Sequence, residues 1–308
     1  MKKLYLLITL ILLSCSQSAN KENFNPSKKL SITIGNENFE VINDKVNANE
    51  NCDNIFVTAS PTLINDLGFR IKFRLTKLGI LQNITLYNYR ESNREYQTPD
   101  FKPSGTMVIT NFKYESTTQY LYFEYEGNLV EVESDFAQIG VNKPYKYIKG
   151  KVEINNIINT SCANSTTKIN YQNNNINFFT IDNQSIKNLS LIVNQYEFNL
   201  FSNNGLRIKF KNSDDLWNQN IGQYNFTETT VENRIDFEQY IGNIRATQLL
   251  WLRPIDWKNF STTGNYIIQQ KTIINNQKLT KGEFNLNVYE NNQLLYSISN
   301  AKFEILGF

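Results

Sequence analysis

The chain has 308 residues, with 31 Lys or Arg, 29 Asp or Glu and no histidine. The missing histidine excludes Ser-His-Asp and Cys-His nucleophilic catalysis, His-bearing zinc sites and imidazole acid–base chemistry. Scattered, nearly balanced charge argues against a nucleic-acid partner, and many Phe and Tyr with modest Gly and Pro describe a globular chain long enough for two domains.

The first 14 residues read as a signal peptide: Lys2 and Lys3, an apolar run from Leu4 to Leu13, then the small Ser14. The run is about half the roughly 20 residues that a transmembrane helix needs. It stops at Cys15, and "LLSC" resembles a bacterial lipobox. The Asn-, Ile- and Lys-rich style is similar to that of outer-membrane lipoproteins of AT-rich Bacteroidota. That resemblance implies cleavage before Cys15, acylation of its thiol, a membrane partner through the lipid anchor, and an outer-membrane location. Surface-displayed members carry acids just after the cysteine. Here "SQSANKEN" offers only Glu22, so the periplasmic face is favoured over the cell surface. Residues 15–27 form a lipidated polar tether.

Residues 28–160 are expected to form a first β-sandwich. "FRIKFRL" alternates Phe69, Ile71, Phe73 and Leu75 with Arg70, Lys72 and Arg74, which puts apolar side chains on one sheet face and charges on the other. "QYLYFEYEGNLVEVE" alternates similarly, with "EGN" read as a turn. "NTSCANSTT" is read as the linker to a second domain. Cys52 and Cys162 are the only cysteines after Cys15, and an even pair in an oxidising envelope reads as a disulfide.

Residues 166–308 repeat the first domain. "NNGLRIKF" matches "DLGFRIKF", pairing Gly205 with Gly68 and Ile208 with Ile71. "FSTTGNYIIQ" matches "FKPSGTMVIT", pairing Phe260 with Phe101 and Gly264 with Gly105. "KFEI" (Lys302 to Ile305) matches "KVEI" (Lys151 to Ile154). The order is the same and the gaps differ, which predicts an all-β protein of two tandem antiparallel β-sandwich domains related by internal duplication, with different loop lengths. The longer gap in the second copy places an insertion at about 211–259.

That insertion holds all three tryptophans, Trp217, Trp251 and Trp257. "WLRPIDW" adds Arg253 and Asp256, so these five residues are the candidate ligand-binding set, with rings to stack on a sugar face or anchor a partner. The competing reading packs the rings in the core. Asp236 and Glu238 in "ENRIDFEQ", near Glu232, share a strand face. They offer a carboxylate pair of the kind glycosidases use, but the plain reading, a solvated face opposite Ile235 and Phe237, is preferred. Asp214 and Asp215 favour the start of a helical turn, with Ser213 as its cap, over a calcium loop. No catalytic residue, cofactor or metal is assigned. The expected function is non-catalytic binding of a glycan or peptide. The alternatives are an adaptor docking another envelope protein and, third, a carboxylate glycosidase.

Overall fold

The computed structural model describes residues 27–61, 68–133, 144–160, 196–247 and 253–307, together with short strands between 168 and 194 for which strand placement alone is given. Cys15, Cys162 and Trp251 lie outside the described residues.

The first eleven strands are β1 (Lys28–Ile34), β2 (Glu37–Ile42), β3 (Val46–Asn51), β4 (Asn54–Ala59), β5 (Phe69–Thr76), β6 (Leu81–Asn88), β7 (Arg94–Gln97), β8 (Met107–Glu115), β9 (Tyr120–Glu133), β10 (Tyr145–Ile154) and β11 (Ile158–Thr160). The next eight are β12 (Lys168–Asn170), β13 (Gln172–Asn173), β14 (Ile176–Phe179), β15 (Leu189–Ser190), β16 (Val193–Asn194), β17 (Tyr196–Ser202), β18 (Leu206–Asn212) and β19 (Gly222–Phe226). The last five are β20 (Arg234–Tyr240), β21 (Ala246–Thr247), β22 (Trp257–Ile274), β23 (Gln277–Glu290) and β24 (Gln293–Leu306).

The first domain is built on the path β11-β3-β4-β5-β6-β7-β9-β10-β1-β2, and the second on β12-β24-β23-β22-β20-β18-β17-β14-β13. Each sheet folds over its own core, so that strands distant along the sheet meet face to face. Phe73 of β5 meets Tyr125 of β9 at 4.8 Å between ring centroids, and Phe210 of β18 meets Phe284 of β23 at 5.8 Å. Period-two burial in β5 and β18 sends Ile71, Phe73, Ile208 and Phe210 inward, each large side chain contributing about 1.5–3 kcal/mol.

The Asn-rich composition has a structural use. Asn275-Asn276 and Asn291-Asn292 have positive φ and form the two-residue links β22–β23 and β23–β24, the backbone that tight hairpins require. "EGN" is not a turn. β9 runs through Gly127, which sits at φ 150 where an added Cβ would lie 2.1 Å from the Thr106 carbonyl oxygen.

The duplication holds in register as well as in order. The Tyr89 N–H donates to the Gly68 carbonyl (3.1 Å), as the Tyr240 N–H does to that of Gly205 (2.7 Å). "KVEI" and "KFEI" occupy the last strand of each copy, β10 and β24. The β8–β9 and β22–β23 ladders slip at matching places, between Thr110 and Lys113 and between Ile268 and Gln270. The proposed Phe101–Phe260 match is corrected. Phe260 lies opposite Phe237, and the residue that takes this place in the first copy is Tyr96, opposite Leu86. Gly264, opposite Leu286 within β22, likewise has no counterpart in Gly105, which lies in the turn of residues 103–105.

Phe101 instead belongs to a loop, residues 98–106, that separates β7 from β8 where the second copy has the unbroken β22. The second copy carries its own additions at residues 213–233 and 241–256, so the single predicted insertion is two. The first holds a turn in which Asp215, not Ser213, accepts the N–H groups of Trp217, Asn218 and Gln219. The second lays β21 parallel to the end of β9, pairing Ala246 with Val132 and thereby joining the first domain's sheet.

Candidate functional site

Alternation in β18 points Arg207, Lys209 and Lys211 away from the core, and alternation in β20 does the same for Arg234, Asp236 and Glu238. The antiparallel register sets Arg207 beside Glu238 and Lys209 beside Asp236. Each carboxylate takes two cations. Glu238 binds the Arg207 guanidinium through Nε and Nη2 and accepts from Lys209 Nζ at 2.9 Å. Asp236 meets Lys211 at 2.8 Å and Arg234 at 2.7 Å.

Two walls rise over this floor, one from each addition. Arg234 Nη1 donates to the carbonyls of Glu228 (3.1 Å) and Thr230 (2.6 Å), which pins residues 227–231 as one wall. Arg253 and Pro254 form the other, with Arg253 held by Asp256 at 3.0 Å. The cleft between them encloses about 840 Å³. Asn199 of β17 closes the floor, and its buried Oδ1 accepts no hydrogen bond from any described residue.

Below the cleft the Arg207 guanidinium carbon lies 4.1 Å from the centroid of the Trp257 ring. Burial pulls the Arg207 guanidinium below its ordinary value, while the Glu238 carboxylate works in the opposite direction; a guanidinium in this setting remains charged. Glu238 is only 2% exposed, so the plain solvated-face reading of the Asp236/Glu238 pair is corrected: this face is walled and ion-paired. A general acid needs a proton to give and a nucleophilic carboxylate needs an unoccupied oxygen. Carboxylates clamped by two cations each are poorly placed for either role.

The two described tryptophans, Trp217 and Trp257, do not share a surface. Trp257 is 5% exposed and packs with Phe101, Phe201 and Tyr240 in a small core between the domains; Phe101 stands 5.1 Å from both the Trp257 and the Tyr240 ring. Its ring is therefore no platform for a ligand. The cause is the loop 98–106 of the first domain, which delivers Phe101 onto it. Asp100 anchors that loop: its N–H donates to the Arg245 carbonyl, and its carboxylate accepts from the Thr247 N–H (3.1 Å) and hydroxyl (2.7 Å).

Trp217 lies half-buried outside the cleft, with Lys271 Nζ 6.0 Å from its ring. Asp256 is buried between Arg245 (3.2 Å) and Arg253, a structural tie. Of the five candidates, Arg253 alone is described as lining the cleft. Asn199 and the Arg207–Lys209 row escaped sequence reasoning. The repeated "RIKF" carried the signal for the row, and nothing in the sequence marked Asn199. Among the described residues no group of three or more Cys, Asp or Glu could hold a metal ion.

No protein-family model, curated protein or solved structure matches this chain.

Proposed function

We propose that this protein is a non-catalytic binding module whose second-domain cleft takes a polar oligomer, a glycan or a peptide, while an acylated Cys15 holds the chain at the outer membrane. The observation that carries the reading is the buried Asn199 Oδ1, without a partner among the described residues, on the floor of a walled polar cleft. An orphaned acceptor costs about 1–3 kcal/mol unless something donates to it, and a ligand hydroxyl or N–H satisfies that demand. The doubly clamped carboxylates favour binding over hydrolysis.

Screening the mature chain against glycan and peptide arrays, beside Asn199→Leu, tests this. The expected result is a hit that the variant loses, with a melting temperature unchanged or raised, because the deleted group had no internal partner. A hit that survives Asn199→Leu, or no hit on either array, overturns the cleft as the binding site.

A second reading, an adaptor that docks another envelope protein, is favoured by one feature. Ile241, Ile244 and Ile255 are all exposed on the addition 241–256, where the Ile241 N–H donates to the Asp256 carbonyl. Crosslinking in intact envelopes, with capture lost in an Ile241→Ser/Ile255→Ser variant, distinguishes it.

The Cys52–Cys162 disulfide belongs to the same proposal. Cys52 takes φ 53 in the two-residue β3–β4 turn. Parallel pairing of β3 with β11 sets Asn51 beside Thr160, so both chains leave the ladder just before a cysteine.

A further inference from the structure

The first domain carries the same cation row as the second, but the strand beside it has no counterparts of the acids on β20. Arg70, Lys72 and Arg74 of β5 occupy the places of Arg207, Lys209 and Lys211, a correspondence fixed by the matched Gly68 and Gly205 hydrogen bonds. Where β20 sets Asp236 and Glu238 beside the row, β6 sets Thr85 beside Lys72 and Tyr87 beside Arg70. Among the described residues neither Arg70 nor Lys72 enters an ion pair. Lys72 rests 5.1 Å from the centroid of the Tyr87 ring instead, and Arg74 lies 5.6 Å from that of Phe56.

A second feature appears on this face only. The β5–β6 ladder slips between Arg74 and Leu75, leaving Gln82 as the extra residue; the β18–β20 ladder has no such slip. Gln82 lines a groove of about 310 Å³ together with Phe56, Thr58, Lys72, Arg74 and Thr85. It is 5% exposed, its Nε2 donates to Asn54 Oδ1 at 2.8 Å, and its buried Oε1 accepts from no described residue.

We infer that this groove is a second ligand site, distinct from the cleft of the other domain, and that it takes a carboxylated oligosaccharide. The second domain supplies the template. There a carboxylate, that of Glu238, bridges the Arg and Lys of the row. In the first domain a carboxylate on the ligand takes the equivalent place between Lys72, which lines the groove, and Arg70, which stands just beyond its lining. Gln82 Oε1 asks for a donor, Thr58 offers a hydroxyl that gives or accepts, and the Thr85 hydroxyl, which donates to Asn83 Oδ1 at 2.8 Å, accepts. Acidic groups interspersed with hydroxyls are the chemistry of a uronic-acid chain. An acidic peptide fits less well: β4, β5 and β6 are paired on both sides, so no strand edge is open to a peptide backbone.

The test is titration calorimetry of the mature chain with a linear hexamer of galacturonic acid, beside a neutral galactose hexamer and a hexaglutamate peptide. The uronate is expected to bind at least roughly tenfold more tightly than either control, the scale of one well-placed charged contact. Thr85→Asp/Tyr87→Glu, which installs the second domain's acids, is expected to weaken the uronate at least roughly tenfold with the melting temperature retained. Lys72→Gln does the same should the double variant fail to fold, and Gln82→Leu weakens binding with no loss of stability. Undiminished uronate binding in Lys72→Gln, equal binding of the neutral hexamer, equal binding of the peptide, or no uronate binding overturns the inference.

Discussion

The two domains place an aromatic ring at the same point of the core from different strands. In the first, Phe123 of β9 lies opposite Val152 of β10; in the second, the paired residues are Gly282 of β23 and Phe303 of β24. Either way a ring reaches the inward Phe of the repeat, Phe123 at 5.4 Å from Phe73 and Phe303 at 5.2 Å from Phe210. What the copies share is a filled volume at one address, since close packing is indifferent to which strand sends the side chain. On the outer faces the difference runs the other way. The cations are shared, and the acids that β20 sets beside them have no counterparts on β6.

The comparison breaks most severely at the contact between the copies. Phe101→Ala removes the ring that touches Phe201, Tyr240 and Trp257, and is expected to cost about 3–5 kcal/mol. Calorimetry of the variant is expected to resolve two unfolding transitions where the parent shows one; a single cooperative transition in the variant would mean that the domains are coupled elsewhere. Glu238→Ala sharpens the comparison of the outer faces. It leaves Arg207 buried without the carboxylate that binds it directly, a loss of about 3 kcal/mol by denaturant titration. Tyr87→Ala, at the matching place in the first domain, deletes no charge partner of Arg70 and is expected to cost clearly less. Equal losses would show that Arg207 does not depend on its acid. Gly282→Ala has the smallest effect. An added Cβ would meet the Phe303 ring at 2.5 Å and the Ile267 carbonyl oxygen at 2.0 Å, for a loss of about 1–3 kcal/mol, and Phe303→Val is expected to relieve only the ring's share. Full recovery in that double variant would exonerate the backbone contact.

Strands and duplication were legible because period two is written directly into segments such as "FRIKFRL". The pairing of Phe101 with Phe260 failed because a shift by an even number of residues leaves every side chain on its proper face, so alternation alone does not fix register. The fate of Trp257 was illegible for a different reason: its burial depends on a loop 150 or so positions away, and that contact exists only after both domains have formed. The carboxylate pair was found by its spacing, but its neutralisation required the neighbouring strand. Asn199 and Gln82 gave no signal, since an amide in an Asn- and Gln-rich chain stands out only by the hydrogen bond it fails to make.

The short β21 also bears on the order in which the molecule can be built. A chain made from its N-terminus has every residue of β1 to β11 in hand before residues 241–257 appear. Over that interval Phe101 has no Trp257 to pack on, Asp100 has no Thr247 to bind, and Val132 and Glu133 lack β21 at their side. The first domain is thus born with an unfinished seam, and the last third of the chain must arrive before it closes.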